Sequence, residues 1–220
     1  MKPRFSNKQN TAAWTLVEVV TVIVVLLFVI TIFLTLLTPA HDSRKWRIDC
    51  VGNLKQIGLA YRLWANDNND KFPMQVSITN GGTMELANGR NAWINFPVMS
   101  NILSNLKFLI CPQDTKQTPA TSFSRGFNNN NVSYFVGLDA NLDHPQMFLS
   151  GDDNFEIGGV PVKSGLLLLA TNASANWTAA RHVNQGNIGL ADGSVQQLTA
   201  NELQQAFQQT GVATNRLAIP

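Results

Sequence analysis

"TAAWTLVEVVTVIVVLLFVITIFLTLLTPA", residues 11–40, is an almost unbroken apolar run with a single charge, Glu18, near its start. From Trp14 to Leu37 no other side chain ionises. At 1.5 Å per residue a helix of that length reaches roughly 36 Å, enough for a hydrocarbon core of about 30 Å. A secretory signal has a shorter apolar core, about 7–15 residues, ahead of its cleavage site. The run therefore reads as a retained membrane helix. A carboxylate inside such a helix costs on the order of 3 kcal/mol. It needs a partner, a task, or a place at the interface where it reaches water.

The flanks orient the span. Lys2, Arg4 and Lys8 precede it with no acid among them, while residues 41–220 carry basic and acidic side chains in equal number. Positive charge just before a first span holds the N-terminus inside. The expected topology is a short cytoplasmic tail and a large C-terminal domain outside.

At the junction the residues are Ala13-Trp14-Thr15-Leu16-Val17-Glu18. This resembles the cleavage and methylation site of type IV pilin-like proteins and type II secretion pseudopilins: a short basic leader, a small residue, an aromatic, then Thr-Leu-x-Glu opening a long apolar helix. Where the family prefers Gly and Phe, this chain has Ala13 and Trp14. The resemblance implies that a prepilin peptidase cuts after Ala13 and that Trp14 becomes the N-methylated first residue. It also implies that Glu18 pairs with the N-terminal amine of a neighbouring subunit during filament assembly. Two further segments, "CVGNLKQIGLAYRLWANDNNDKFP" (50–73) and "LICPQDT" (109–115), resemble prepilin-like proteins of planctomycetes and verrucomicrobia. So does the His-x9-Asp-Gly signature formed by His182, Asp192 and Gly193.

The domains expected are a basic leader (1–13), a membrane and assembly helix (14–38), an amphipathic continuation (39–66) and an extracytoplasmic head (67–220). Pro39 and Ser43 are expected to interrupt the helix near the membrane exit. Cys50, Leu54, Ile57, Tyr61 and Trp64 then recur at helical spacing on one face, a core-packing stripe. "NDNNDKFP" (66–73) ends the helix. Residues 77–91, rich in Gly and Asn, read as an exposed loop. After Pro112 short β-branched and aromatic runs read as strands. "GNIGLADGSVQQLT" (186–199) reads as a hairpin with a type I′ turn at Asp192-Gly193. Thr199 and Glu202 form a capping box opening a short helix that Gly211 closes. The fold expected is α+β: a long N-terminal helix packed on an antiparallel sheet.

For chemistry the sequence offers little. The net charge of +2 comes from the leader, and no basic stripe suits nucleic acid. An outward domain permits a disulfide between Cys50 and Cys111, closing a loop of about 60 residues worth roughly 4 kcal/mol; two buried free thiols are the alternative. No Cys-x-x-Cys or His-x-x-x-His spacing argues for zinc, and no metal site is assigned. Calcium has two weak candidates: Asp67, Asn69 and Asp70, which lack the Gly and closing Glu of an EF-hand, and Asp152, Asp153 and Asn154 in "SGDDN". His182 is expected to bond backbone or pack at the sheet end. No nucleophile elbow supports an enzyme. The reading is a pilin-like structural subunit in the bacterial inner membrane. Its expected partners are like subunits, prepilin peptidase and the assembly machinery. The alternative is a single-span anchored binding protein that never polymerises.

Overall fold

The computed structural model describes residues 15–86, 91–124 and 126–220, and of residues 35–44 only the backbone. The leader and the Ala13–Trp14 junction lie outside the described residues. The chain divides into two compact units between Asp42 and Ser43.

Helix α1 runs from Leu16 to Asn66, 51 residues. Its first stretch, Leu16–Leu34, has a mean hydropathy of 3.1, and none of it is buried within the chain. It is long and apolar enough to cross a membrane. The expected interruption at Pro39 and Ser43 does not occur, since the helix continues through both. A proline there removes one backbone bond, and one lost bond does not end a helix that both flanks favour.

In the second unit the sequence period becomes packing. Cys50, Leu54, Ile57, Tyr61 and Trp64 are all buried, because residues three and four apart share a helix face. They pack with Phe72, Phe96, Met99 and Leu109 in one core. Past Asn66 the chain turns through Asn69 and Asp70 in the left-handed region, which short polar side chains tolerate best. Short 3-10 turns follow, among them Pro97–Met99 and Leu106–Leu109.

The strands are β1 (Tyr134–Gly137), β2 (Phe148–Asp152), β3 (Phe155–Ile157), β4 (Val160–Pro161), β5 (Gly165–Ala170), β6 (Ala175–Trp177), β7 (Gly186–Leu190), β8 (Val195–Leu198) and β9 (Thr214–Ile219). Six form a sheet in the order β5-β9-β1-β2-β7-β8, and β4-β3-β6 form a smaller one. Every recorded pairing is antiparallel. The large sheet buries both faces. Tyr134 and Val136 join the core that holds α1. Phe135, between them, joins a second core with Phe155, Trp177 and Phe207. That is the two-residue period of a strand read on two apolar sides.

Helix α2 (Ala200–Gln209) starts with the expected capping box. Thr199 accepts from the Glu202 N–H, and Glu202 accepts from the Thr199 N–H at 2.7 Å. Gly211 follows it at φ 76°. The hairpin turn differs from expectation. Of its residues only Gly193 has positive φ, 85°, whereas a type I′ turn needs two. Gly193 donates to the Leu190 carbonyl at 2.9 Å, and Leu190 to that of Ser194 at 2.9 Å. This is a three-residue loop in which only the glycine must be left-handed.

Candidate functional site

Four buried side chains from four separate places converge between α1 and the sheet. Cys50 comes from α1, Cys111 from the chain just after the Leu106–Leu109 turn, Asp152 from the end of β2, and His182 from the segment before β7. Their sulfur, carboxylate and imidazole atoms all lie within 4.8 Å of one another. Cys50 Sγ is 3.1 Å from Asp152 Oδ1, Cys111 Sγ is 3.3 Å from His182 Nε2, and His182 Nε2 is 3.4 Å from Asp152 Oδ2. The Tyr134 hydroxyl stands 3.2 Å from Cys50 Sγ.

Local structure explains the aim of each group. Cys50 opens the buried stripe of α1. Tyr134 and Asp152 are directly paired across β1 and β2, so their side chains share a sheet face. Phe148 belongs to the far core, and strict alternation from it would send Asp152 the same way. A register irregularity between Phe148 and Ser150 breaks that alternation, as bulges do, and turns Asp152 toward α1. At His182 the backbone is unusual. His182, Val183 and Asn184 all have positive φ, between 53° and 58°, a costly conformation for non-glycine residues. The run is held from outside. The His182 N–H donates to Gln113 Oε1 at 2.7 Å, and Asn154 Nδ2 donates to the carbonyls of Arg181 and Gln185 at 3.2 and 3.3 Å.

The cluster is dense in charge. Burial pushes the Asp152 carboxyl up, but His182 and Arg181 outweigh burial and hold it below its usual range. Asp152 Oδ2 also accepts from the Asn187 N–H and from Asn187 Nδ2, both at 2.8 Å. Burial opposes charge on His182 too, yet Asp152 and Cys111 raise its pKa to about 9. Burial drives the Cys50 thiol well up, whereas contact with Cys50 and His182 lowers Cys111 to about 6. Arg181 sits beside the group, bonded to the Ser133 carbonyl at 3.2 Å and paired with Asp114 at 3.2 Å and with Asp153. A cleft of about 350 Å³ lined by Gln113, Asp114, Asp153 and Arg181 opens next to it.

The arrangement does not resemble a nucleophile–histidine–acid relay. Such a relay needs the acid on one ring nitrogen and the nucleophile on the other. Here Cys111 and Asp152 both approach Nε2, while His182 Nδ1 is buried without a hydrogen-bond partner among the described residues. Cys111 and Asp152 are also fully buried.

Other candidate residues go elsewhere. Asp152, Asp153 and Asn154, considered together for calcium, are committed to different partners: the cluster, Arg181, and the loop carbonyls before β7. Cys50 and Cys111 are free thiols whose sulfurs lie within 4.8 Å, without a bond between them. The signature residues separate. His182 enters the cluster, whereas Asp192-Gly193 sits beyond the other end of β7, where Arg62 of α1 donates to the Asp192 carbonyl. Glu18 completes a reciprocal cap at the start of α1. Its Oε2 accepts from the Thr15 N–H at 2.9 Å and hydroxyl at 3.0 Å, and its own N–H donates to Thr15 Oγ1 at 3.3 Å. That Thr-x-x-Glu capping box was not read from the sequence, although its spacing was visible.

The cluster itself escaped spacing rules because Cys50 and Asp152 are 102 positions apart and Cys111 and His182 are 71. One signal was available: each of the three later segments quoted for the family resemblance supplies one of its members. Compared with family models, curated proteins and solved structures, the chain matches none.

Proposed function

We propose that this chain is a pilin-like structural subunit. It would be stored in the bacterial inner membrane, processed at Ala13–Trp14 by a prepilin peptidase, and assembled with like subunits into a pseudopilus or pilus-like filament. The observation that carries the reading is the division of labour along α1. Leu16–Leu34 is exposed at every position and apolar at all but Glu18, Thr21 and Thr31. From Cys50 to Trp64 the same helix buries a stripe in an α+β head. A helix exposed in this way requires lipid or copies of itself to cover it. Filament subunits use both in turn.

Intact mass and N-terminal sequencing of the protein from its own membranes test the reading. A mature chain beginning at N-methylated Trp14 is expected. A chain that keeps residues 1–13 in cells with an active prepilin peptidase overturns it.

The anchored, non-polymerising alternative has one observation in its favour. Thr15 already satisfies the Glu18 carboxylate within the chain, so a neighbour's amine is not the only partner that explains the residue.

A further inference from the structure

We propose that Cys50, Cys111, Asp152 and His182 form a site for one zinc-type divalent cation, which fastens the buried half of α1 to the sheet of the head.

Geometry is the first argument. Zinc bonds of about 2.3 Å to sulfur and 2.0–2.2 Å to nitrogen and oxygen put the corners of a tetrahedron roughly 3.3–3.8 Å apart. The separations of 3.1, 3.3 and 3.4 Å run through both Asp152 oxygens, and with one donor atom from each residue no pair exceeds 4.8 Å. Shifts of roughly half an ångström would seat the ion.

Hydrogen counting is the second. A ring nitrogen carries at most one hydrogen, yet both Cys111 Sγ and Asp152 Oδ2 face His182 Nε2. Hydrogen bonds alone therefore supply only one of the two contacts at His182 Nε2. At Cys50 no hydrogen is lacking, since the thiol donates to Asp152 Oδ1 and the Tyr134 hydroxyl can donate to the sulfur. A cation at the centre of the group satisfies all four atoms at once.

Donor chemistry is the third. Two sulfurs and an imidazole select a borderline-soft metal such as zinc over calcium or magnesium. With both cysteines as thiolates and Asp152 ionised, the ligands carry three negative charges against the ion's two, beside an Arg181 that is shared with Asp114 and Asp153. Binding releases the ligand hydrogens to solvent. The surroundings orient the ligands, as metal sites require: Asn187 holds Asp152 with two bonds, and Gln113 holds the strained backbone of His182. All four donors are closed off by protein, which suits a structural rather than a catalytic ion.

The proposal is independent of filament assembly. Its test uses the full chain in detergent, reduced, stripped with a chelator and titrated with Co2+ alone. Expected is saturation at one equivalent, with intense tetrahedral d–d bands and thiolate charge-transfer bands, both abolished by one equivalent of Zn2+. Cys111→Ser and His182→Ala should weaken binding at least about 100-fold, with circular dichroism reporting whether each variant folds. Should either variant unfold, the wild-type titration decides alone. Reduced, folded wild-type protein that develops no thiolate–cobalt bands overturns the proposal. So does saturation with weak octahedral bands only. Recovery of the native chain with Cys50 and Cys111 joined in a disulfide, and no metal uptake after reduction, assigns the cluster to redox pairing instead.

Discussion

Cys50 on α1 and Asp152 at the end of β2 meet at 3.1 Å, both buried. This contact joins the helix that continues from the apolar segment to the strand at the middle of the sheet. Replacing Asp152 leaves Cys50, His182 and Arg181 facing a buried space without their shared anion. A broken buried charge pair costs about 3–5 kcal/mol. Asp152→Ala is therefore expected to lower unfolding free energy by that order in the metal-free protein, measured by urea titration. A change under about 1 kcal/mol would show that the cluster contributes nothing to holding helix and sheet together.

Asn187 touches Asp152 but none of the other proposed ligands in any recorded bond. Groups that orient a ligand typically alter metal affinity 10–100-fold when lost. Asn187→Ala, competed against a chelator of known affinity, should weaken cobalt binding by about that factor while leaving the stoichiometry and the thiolate bands in place. Unchanged affinity would remove Asn187 from any orienting role.

Glu18 can be asked which of its two partners matters. Glutamine at this position keeps the cap to Thr15, since either Glu or Gln serves a capping box, but it carries no charge. Leucine loses both. If assembly depends on an ion pair with a neighbour's amine, Glu18→Gln and Glu18→Leu should both accumulate in membranes, both lose residues 1–13, and both fail to form multimers. Normal multimers from Glu18→Gln alongside failure of Glu18→Leu would assign the residue to capping. Normal multimers from both would favour the simple anchor.

The cap on α2 can be measured directly. Thr199→Ala should cost about 1 kcal/mol. The backbone and hydroxyl hydrogen bonds from Thr199 hold the Glu202 carboxyl below its usual range. The folded pKa is depressed, so the contribution is present above the unfolded value and is lost as pH falls through the folded one. Thr199→Ala loses only the hydroxyl bonds to Glu202 and keeps the backbone one, so the gap between wild type and variant should narrow, not vanish, at acidic pH. A constant gap across that range would show that the hydroxyl bond from Thr199 to the Glu202 carboxylate contributes nothing to the cap.

Two glycines make opposite predictions. A Cβ on Gly137 would collide with the Phe148 carbonyl oxygen of the neighbouring strand, and backbone cannot yield as a side-chain tip can. Gly137→Ala should destabilise by about 2 kcal/mol. Gly52 lies exposed on α1 with nothing near its added methyl, so Gly52→Ala should stabilise by about 0.5–1 kcal/mol. Denaturant midpoints of the two variants check both signs.

Much of this was written locally in the chain. The apolar run after Trp14, the stripe from Cys50 to Trp64, the Thr199–Glu202 cap and Gly211 each depend on residues within a few turns of one another. Helical period and capping are short-range physics, so both halves of α1, the second helix and the α+β class were legible in the chain, though not the helix's continuity through Pro39 and Ser43. Strand β9 was not legible. "TNRLAI" has little alternation, and it became a strand only because β5 and β1 flank it on both sides. The Asp192-Gly193 loop was legible as a turn, but its type rests on the closing bonds between Leu190, Gly193 and Ser194. The cluster of Cys50, Cys111, Asp152 and His182 belongs wholly to tertiary structure. Its members are far apart in sequence, the irregularity in β2 aims Asp152, and a left-handed run held by Gln113 and Asn154 aims His182. A one-residue change of strand register reverses which face a side chain occupies, and no local pattern around "SGDDN" records which way that reversal goes.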